Sequence, residues 1–358
     1  MSIANLVYVG TYSEPAGGGR GIHSFRFDPA TGRMSPHGVA EMRNPSFFCF
    51  DAGRQYLYAV NELKQFEGDS GGGLSGFRID QETGALTFLN AKPSRGTNPC
   101  HVSVDPGGKF VFAANYTSGS VIGYRIEADG SLGEEVAFVQ HVGSSADPDR
   151  QAGPHAHAVE FDAAGRYLYV ADLGLDKVMI YEVDAATGRL TPARQPSMAT
   201  APGAGPRHLA MHPGGGHAYL INELDSTITA CRRDAATGGL TELQTLSTLP
   251  DGARDGNSCA EVQLGPDGRF LYGSNRGHDS IVIYAVEPAS GRLTLVGHES
   301  TGGRVPRSFE ISPDGRFLIV ANQDTNNLMI FRIDQGTGKL TNIGESVEAP
   351  TPVCVRFV

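Results

Sequence analysis

The sequence has no tryptophan, only five cysteines in 358 residues, and no apolar run reaching the roughly 18 residues of a membrane-crossing helix. The cysteines are odd in number and lack both C-x-x-C spacing and a secreted disulfide framework, so reduced thiols and a cytoplasmic location are expected. Cys49, Cys100, Cys259 and Cys354 fall in or beside one recurring strand, where a small apolar residue would be buried. Basic charge is also scarce. With 29 Lys and Arg against 39 Asp and Glu, the net charge of −10 gives no electrostatic footprint for nucleic acid or an anionic membrane. The opening MSIANLVYVGTY lacks a charged start, a long apolar core and a small-residue cleavage site, so no signal peptide is expected. No phosphate loop or dinucleotide fingerprint occurs, and no cofactor is expected.

Glycine (47) and proline (21) are plentiful, which is the punctuation of many short strands joined by turns. A chain of this length usually divides into two or more domains unless its fold is built by repetition. Residues 259–293 contain the repeating unit: strand, tight turn at Pro266-Asp267-Gly268, apolar strand, polar loop, third strand, turn at Ser290-Gly291, and a fourth short strand. The second strand recurs as LVYVGTY (6–12), YLYAVNE (56–62), FVFAANY (110–116), YLYVADL (167–173), HAYLINE (217–223), FLYGSNR (270–276) and FLIVANQ (317–323). Its equivalent residues Thr11, Asn61, Asn115, Asp172, Asn222, Asn275 and Asn322 are spaced 47 to 57 residues apart. An outer turn with an acidic residue three before Thr-Gly or Ser-Gly recurs too, as in FRFDPATGRM (25–34) and FRIDQGTGKL (331–340), and shortens to EADGSL (127–132) in the third unit. A period of about 50 residues made of four strands predicts an all-β, seven-bladed β-propeller of four-stranded antiparallel blades, one domain spanning 1–358.

The first unit lacks a first strand, and the last residues, PTPVCVRFV (350–358), have the spacing of that missing strand. The C-terminal strand is therefore expected to complete the N-terminal blade, closing the ring and removing an open sheet edge. Three long interruptions, Ser13 to Arg20, Gln65 to Gly73 and Gly143 to Gly153, are candidate rim loops.

Antiparallel pairing puts the start of each first strand beside the end of each second strand, so residues from all blades converge on one mouth of the channel. The fourth to seventh blades bring His155, His157, Arg207, His208, Glu223, Glu261, Arg276 and Arg307 there, with His101 of the third blade and Gln323 of the seventh at equivalent positions. Arginines can fork onto carboxylate or phosphate and stabilise an oxyanion, while His and Glu can carry protons. The alternative role for these residues is inter-blade salt bridging. His155-Ala156-His157 could hold a metal, but no third ligand is evident and none is expected. Gly68-Asp69-Ser70-Gly71-Gly72 matches G-x-S-x-G but lies in a glycine-rich loop, not a strand-to-helix elbow, and is rejected as a nucleophile.

GPHAHAVEFD (153–162), GPRHLAMHP (205–213), INELDST (221–227), YGSNRGHDS (272–280) and VPRSFEISPDGRFLIVANQ (305–323) together resemble the β-propeller lactonase family. That group includes propeller-type 6-phosphogluconolactonases and the fungal 3-carboxy-cis,cis-muconate lactonizing enzyme. The resemblance covers essentially the whole chain and implies a small anionic lactone or carboxylate substrate. In the muconate branch the proposed site is one His, two Arg and one Glu. The matching positions here are His155 or His157, Arg207, Arg276 and Glu223, with His101, His208, Glu261, Arg307 and Gln323 as substrate-contacting neighbours. Two chemistries follow from one cluster: hydrolysis of a lactone, with 6-phosphogluconolactone favoured over a non-phosphorylated sugar lactone, or cycloisomerisation of a muconate. A propeller that only binds a ligand or protein is the reading from a different class.

Overall fold

Each repeat folds as the alternation of strand and turn residues dictates. In the computed structural model, which describes residues 3–14, 18–253 and 255–358, seven four-stranded antiparallel sheets form the blades of a propeller. From the axis outward, blade 1 consists of Pro352–Phe357, Leu6–Thr11, Gly21–Phe27 and Met34–Glu41. Blade 5 consists of Pro206–Met211, His217–Asn222, Thr227–Arg233 and Leu240–Ser247. Burial falls off radially, which explains the two sequence patterns. Second strands such as Phe110–Asn115 are buried at every residue because neighbouring blades cover both faces, whereas the outermost Met34–Glu41 is mostly exposed. The C-terminal strand pairs antiparallel with Leu6–Thr11, with Val9 opposite Val355, so the ring is closed as expected.

The outer turns join one blade to the next. Asp28 accepts from the Ala30 amide and the Thr31 hydroxyl, at 2.9 and 2.6 Å, and Gly32 takes the positive φ of 82° that ends the turn. The turn glycine's carbonyl, or that of its equivalent, then accepts a tyrosine hydroxyl from the preceding blade: Tyr58 to Gly130 at 2.9 Å, Tyr169 to Gly238 at 2.8 Å, Tyr219 to Gly291 at 3.1 Å, Tyr272 to Gly338 at 2.9 Å, and Tyr8 to Gly84 at 2.5 Å. These tyrosines are the third residue of each second strand, where blades 3 and 7 carry Phe112 and Ile319 instead. Replacing Tyr219 with Phe leaves the Gly291 carbonyl without this donor. It should lower stability by about 1 kcal/mol, read as a shift of the urea midpoint with unchanged slope.

All five cysteines are free; Cys100, Cys231, Cys259 and Cys354 are buried and Cys49 is partly so. Burial raises the Cys231, Cys259 and Cys354 thiols to about 12, making them packing groups rather than nucleophiles. The interruptions at 65–73 and 143–153 are ordered: Gln65–Phe66 pairs with Asp69–Ser70 as a small ribbon, and the second is pinned through side chains described below. Residues 15–17 of the interruption at 13–20 lie outside the described residues.

Candidate functional site

A β-bulge near the start of the inner strand builds the site. In six blades the pairing of the first with the second strand skips one residue: Val353, Cys100, His157, Arg207 and Arg307 are each the extra residue, and blade 6 skips between Cys259 and Val262. A bulge re-aims side chains that strict alternation would send to opposite faces. Arg207 and His208, consecutive in sequence, therefore touch, with Arg207 Nη1 3.1 Å from His208 Nε2.

Glu223, just beyond the end of its second strand and only 6% exposed, organises the mouth. Its Oε1 accepts from Arg150 Nη2 at 2.7 Å, and its Oε2 lies 2.9 Å from Arg207 Nε and 3.0 Å from Arg276 Nη2. Burial alone would raise this carboxyl, but the charges of Arg276, Arg207 and Arg150 outweigh it and hold it at about 2. Arg207 Nη1 also donates to the Ala260 carbonyl at 2.7 Å, and Arg276 Nη2 to the Cys259 carbonyl at 2.7 Å. Arg276 is thus fixed by two partners and Arg207 by three, His208 Nε2 included, and both retain further N–H groups for a ligand. Burial and the like charges of Arg276 and Arg307 lower the Arg207 guanidinium to about 10.

Arg150 was not among the residues picked out by sequence. It sits in the 143–153 loop, where Asp147 accepts from the Asp149 and Arg150 amides at 2.9 and 3.0 Å. Buried Asp176 holds that loop: it accepts from Gln151 Nε2 at 2.7 Å, Ser145 Oγ at 2.6 Å, and the amides of Gly203 and Gly205 at 2.6 and 2.7 Å. Arg150 Nη2 also donates to the Tyr116 hydroxyl at 3.0 Å. The only sequence signal was an arginine after Asp-Pro-Asp in a loop already marked as a rim candidate.

His155 and His157 take different places. His155 is at the rim, stacked on Tyr116 at 4.7 Å, with Nδ1 donating to the Tyr116 carbonyl at 2.9 Å and its amide donating to Asp172 at 2.7 Å. His157 lies in the channel wall, 5% exposed, its ring against Tyr116 and His208. Neither of its ring nitrogens has a hydrogen bond among the described residues, and Nδ1 is fully buried. Burial and the charges of Arg207, His208 and Arg307 push this imidazole well below the ordinary histidine value, so it is uncharged at neutral pH.

His101, His208 and Glu261, grouped with the mouth by sequence, face the channel one position deeper. With Glu160, Glu310 and Arg356 they line a cavity of about 420 Å³ at the opposite end of the inner strands. His208 Nδ1 lies 2.9 Å from Glu261 Oε1; His101 stacks on Phe47 at 3.9 Å. Arg207 donates to His208 Nε2, so the proton of His208 resides on Nδ1 and is given to Glu261. Burial, with the Arg207 charge, lowers His208 to about 4. Gln323 is on the rim of blade 7, its side-chain amide donating to Asp324 at 3.3 Å. Arg307 lies over the Tyr12 ring at 5.5 Å, and the Tyr12 hydroxyl donates to Glu62 at 2.9 Å. Among the described residues no group of three or more His, Cys, Asp or Glu side chains is arranged to hold a metal ion.

Fold and site together define a seven-bladed propeller whose channel mouth gathers arginines around one carboxylate beside an uncharged histidine. The chain belongs to the family described as Lactonase, 7-bladed beta-propeller, whose profile matches residues 6–357. It is 39% identical over 352 residues to a 6-phosphogluconolactonase of Bacillus subtilis (strain 168), covering 98% of this chain and 97% of the relative. A 6-phosphogluconolactonase of Formosa agariphila is 34% identical over 309 residues, 85% of this chain and 86% of the relative. Among solved structures, a periplasmic gluconolactonase of Pseudomonas aeruginosa superposes with a TM-score of 0.92 at 36% identity, over 99% of this chain and 98% of that one. No helix among the described residues is long and apolar enough to cross a membrane.

Proposed function

We propose that this protein is a lactone hydrolase that opens 6-phospho-D-glucono-1,5-lactone to 6-phosphogluconate. The observation that carries the reading is the convergence of three guanidinium groups on Glu223 beside the unpartnered, uncharged ring of His157, in a chain of the lactonase family. His157 has a free lone pair and takes a proton from water as the water oxygen bonds to the lactone carbonyl carbon. Free N–H groups of Arg207 and Arg276 receive the charge that builds on the carbonyl oxygen. The ring C–O bond then breaks, and His157 returns the proton to the departing hydroxyl. The carboxylic acid product ionises to solvent. No covalent intermediate forms on the enzyme.

Glu223 has a narrower role in this scheme than a proton carrier. Its Oε1 is engaged by Arg150 and its Oε2 by Arg207 and Arg276, whereas the His157 ring has no hydrogen-bond partner among the described residues, so Glu223 is the anchor that aligns the arginines. The cytoplasmic assignment rests on the free thiols, since the Pseudomonas aeruginosa relative is periplasmic.

The test is a rate assay on freshly made 6-phosphoglucono-δ-lactone with spontaneous opening subtracted, beside glucono-δ-lactone and 3-carboxymuconate. The expected result is acceleration of the phosphorylated lactone that drops by roughly a hundredfold or more in Arg276→Ala, as for loss of one oxyanion donor. Turnover of 3-carboxymuconate alone would replace hydrolysis with cycloisomerisation, and turnover of none would leave a ligand-binding propeller.

A further inference from the structure

Arg307 differs from the other guanidinium groups of the mouth. Arg150, Arg207 and Arg276 are all tied to Glu223, whereas Arg307 has no hydrogen bond or ion pair among the described residues. It rests against the face of Tyr12, 5.5 Å from the ring centre, which holds the planar group in place without satisfying its N–H donors. The carboxylate whose charge acts most on it, Glu62, is engaged by the Tyr12 hydroxyl at 2.9 Å. Ser46 occupies the same ring of channel positions in blade 2, and its buried Oγ also has no hydrogen-bond partner. A cationic fork and a hydroxyl without protein acceptors thus share one arc of the mouth, built by blades 7, 1 and 2. The proposed chemistry occupies blades 4 to 6.

The charge balance states what this arc is for. Four guanidinium groups, Arg150, Arg207, Arg276 and Arg307, face two carboxylates, Glu223 and Glu62, so two positive charges are left over in a protein of net charge −10. A lactone carbonyl is uncharged and calls for polarisation, not for two extra cations. A phosphate monoester carries about −1.5 to −2 at neutral pH and presents three acceptor oxygens, matching both the excess charge and the free donors.

We propose that Arg307, supported by Tyr12 and Ser46, is the phosphate-reading residue of the site and gives the enzyme its preference for a phosphorylated over an unphosphorylated lactone. The assignment of the substrate's other half rests on the lactonase reading above; the anion seat rests on Arg307 itself.

The experiment compares wild type, Arg307→Met and the charge-keeping Arg307→Lys. Each is measured for kcat/KM on 6-phosphoglucono-δ-lactone and on glucono-δ-lactone, and for binding of inorganic phosphate by titration calorimetry. In Arg307→Met the ratio of the two kcat/KM values should fall roughly ten- to hundredfold, mainly through KM for the phosphorylated lactone, with Arg307→Lys in between. Phosphate binding should weaken in the same order. An unchanged ratio in a folded Arg307→Met protein, or an equal loss on both lactones, overturns the proposal. If wild type opens neither lactone, the lactonase reading fails on its own. Calorimetry then decides the seat: phosphate binding that disappears in Arg307→Met supports it, and binding indifferent to Arg307 overturns it.

Discussion

Deleting residues 352–358 should abolish cooperative folding of the entire ring, not merely fray one blade. The strand they form supplies the innermost position of blade 1 and pairs along Leu6–Thr11, so it joins the two chain ends in one sheet. Val353, Cys354, Val355 and Phe357 are all buried, and Phe357 meets Phe27 edge-on at 5.0 Å. At about 1.5–3 kcal/mol for each large apolar side chain, the lost burial is comparable with the 5–15 kcal/mol that separates folded from unfolded states. The deletion also strips Arg356 from Glu310, its partner at 2.8 Å, and bares the edge of Leu6–Thr11 to pairing with another chain. The check is denaturant unfolding with size-exclusion chromatography, using a deletion of Val358 alone as control. A truncated chain that elutes as the wild type does and unfolds with the wild-type midpoint would show that the closure does not hold the ring.

What the sequence disclosed followed physical periodicity. Second strands are buried on both faces and outer turns need an acidic residue and a glycine at fixed offsets, so Tyr167–Asp172 or the Asp184 turn is written in residue types. The C-terminal strand was legible because a four-strand count left one position unfilled. The bulge was not, because one extra residue in a strand changes no composition; only the pairing around Ala156 and Ala158 reveals that His157 is that residue. The sequence placed His208 and Glu261 at the position after that of Arg207 but grouped them with the mouth, whereas they line the deeper cavity with Glu160, Glu310 and Arg356. Arg150 was hidden for a different reason: a rim loop has no period. Its geometry is fixed by Asp176, distant in sequence and buried.

The second large effect is expected at Glu223. Glu223→Gln should lose activity by at least roughly a hundredfold and stability by about 3 kcal/mol, because three guanidinium groups would then share a site with no buried negative charge between them. The pH dependence separates this from ordinary loss of packing. The Glu223 carboxyl is held at about 2 in the folded protein, below its ordinary value of 4.5. An unfolded chain therefore binds this proton at a higher pH than the folded one does, and the group contributes stability that is fully present above about pH 4.5 and is lost as pH falls toward about 2. The wild-type advantage over Glu223→Gln should be constant from neutral pH to about pH 5 and shrink steadily below it, as read from urea midpoints at several pH values. His208, held at about 4 by burial, is lost in the same direction but is present in both proteins and cancels in the difference. A difference that stays flat down to about pH 3 would mean that Glu223 acts through its shape and hydrogen bonds rather than through the charge that gathers Arg150, Arg207 and Arg276.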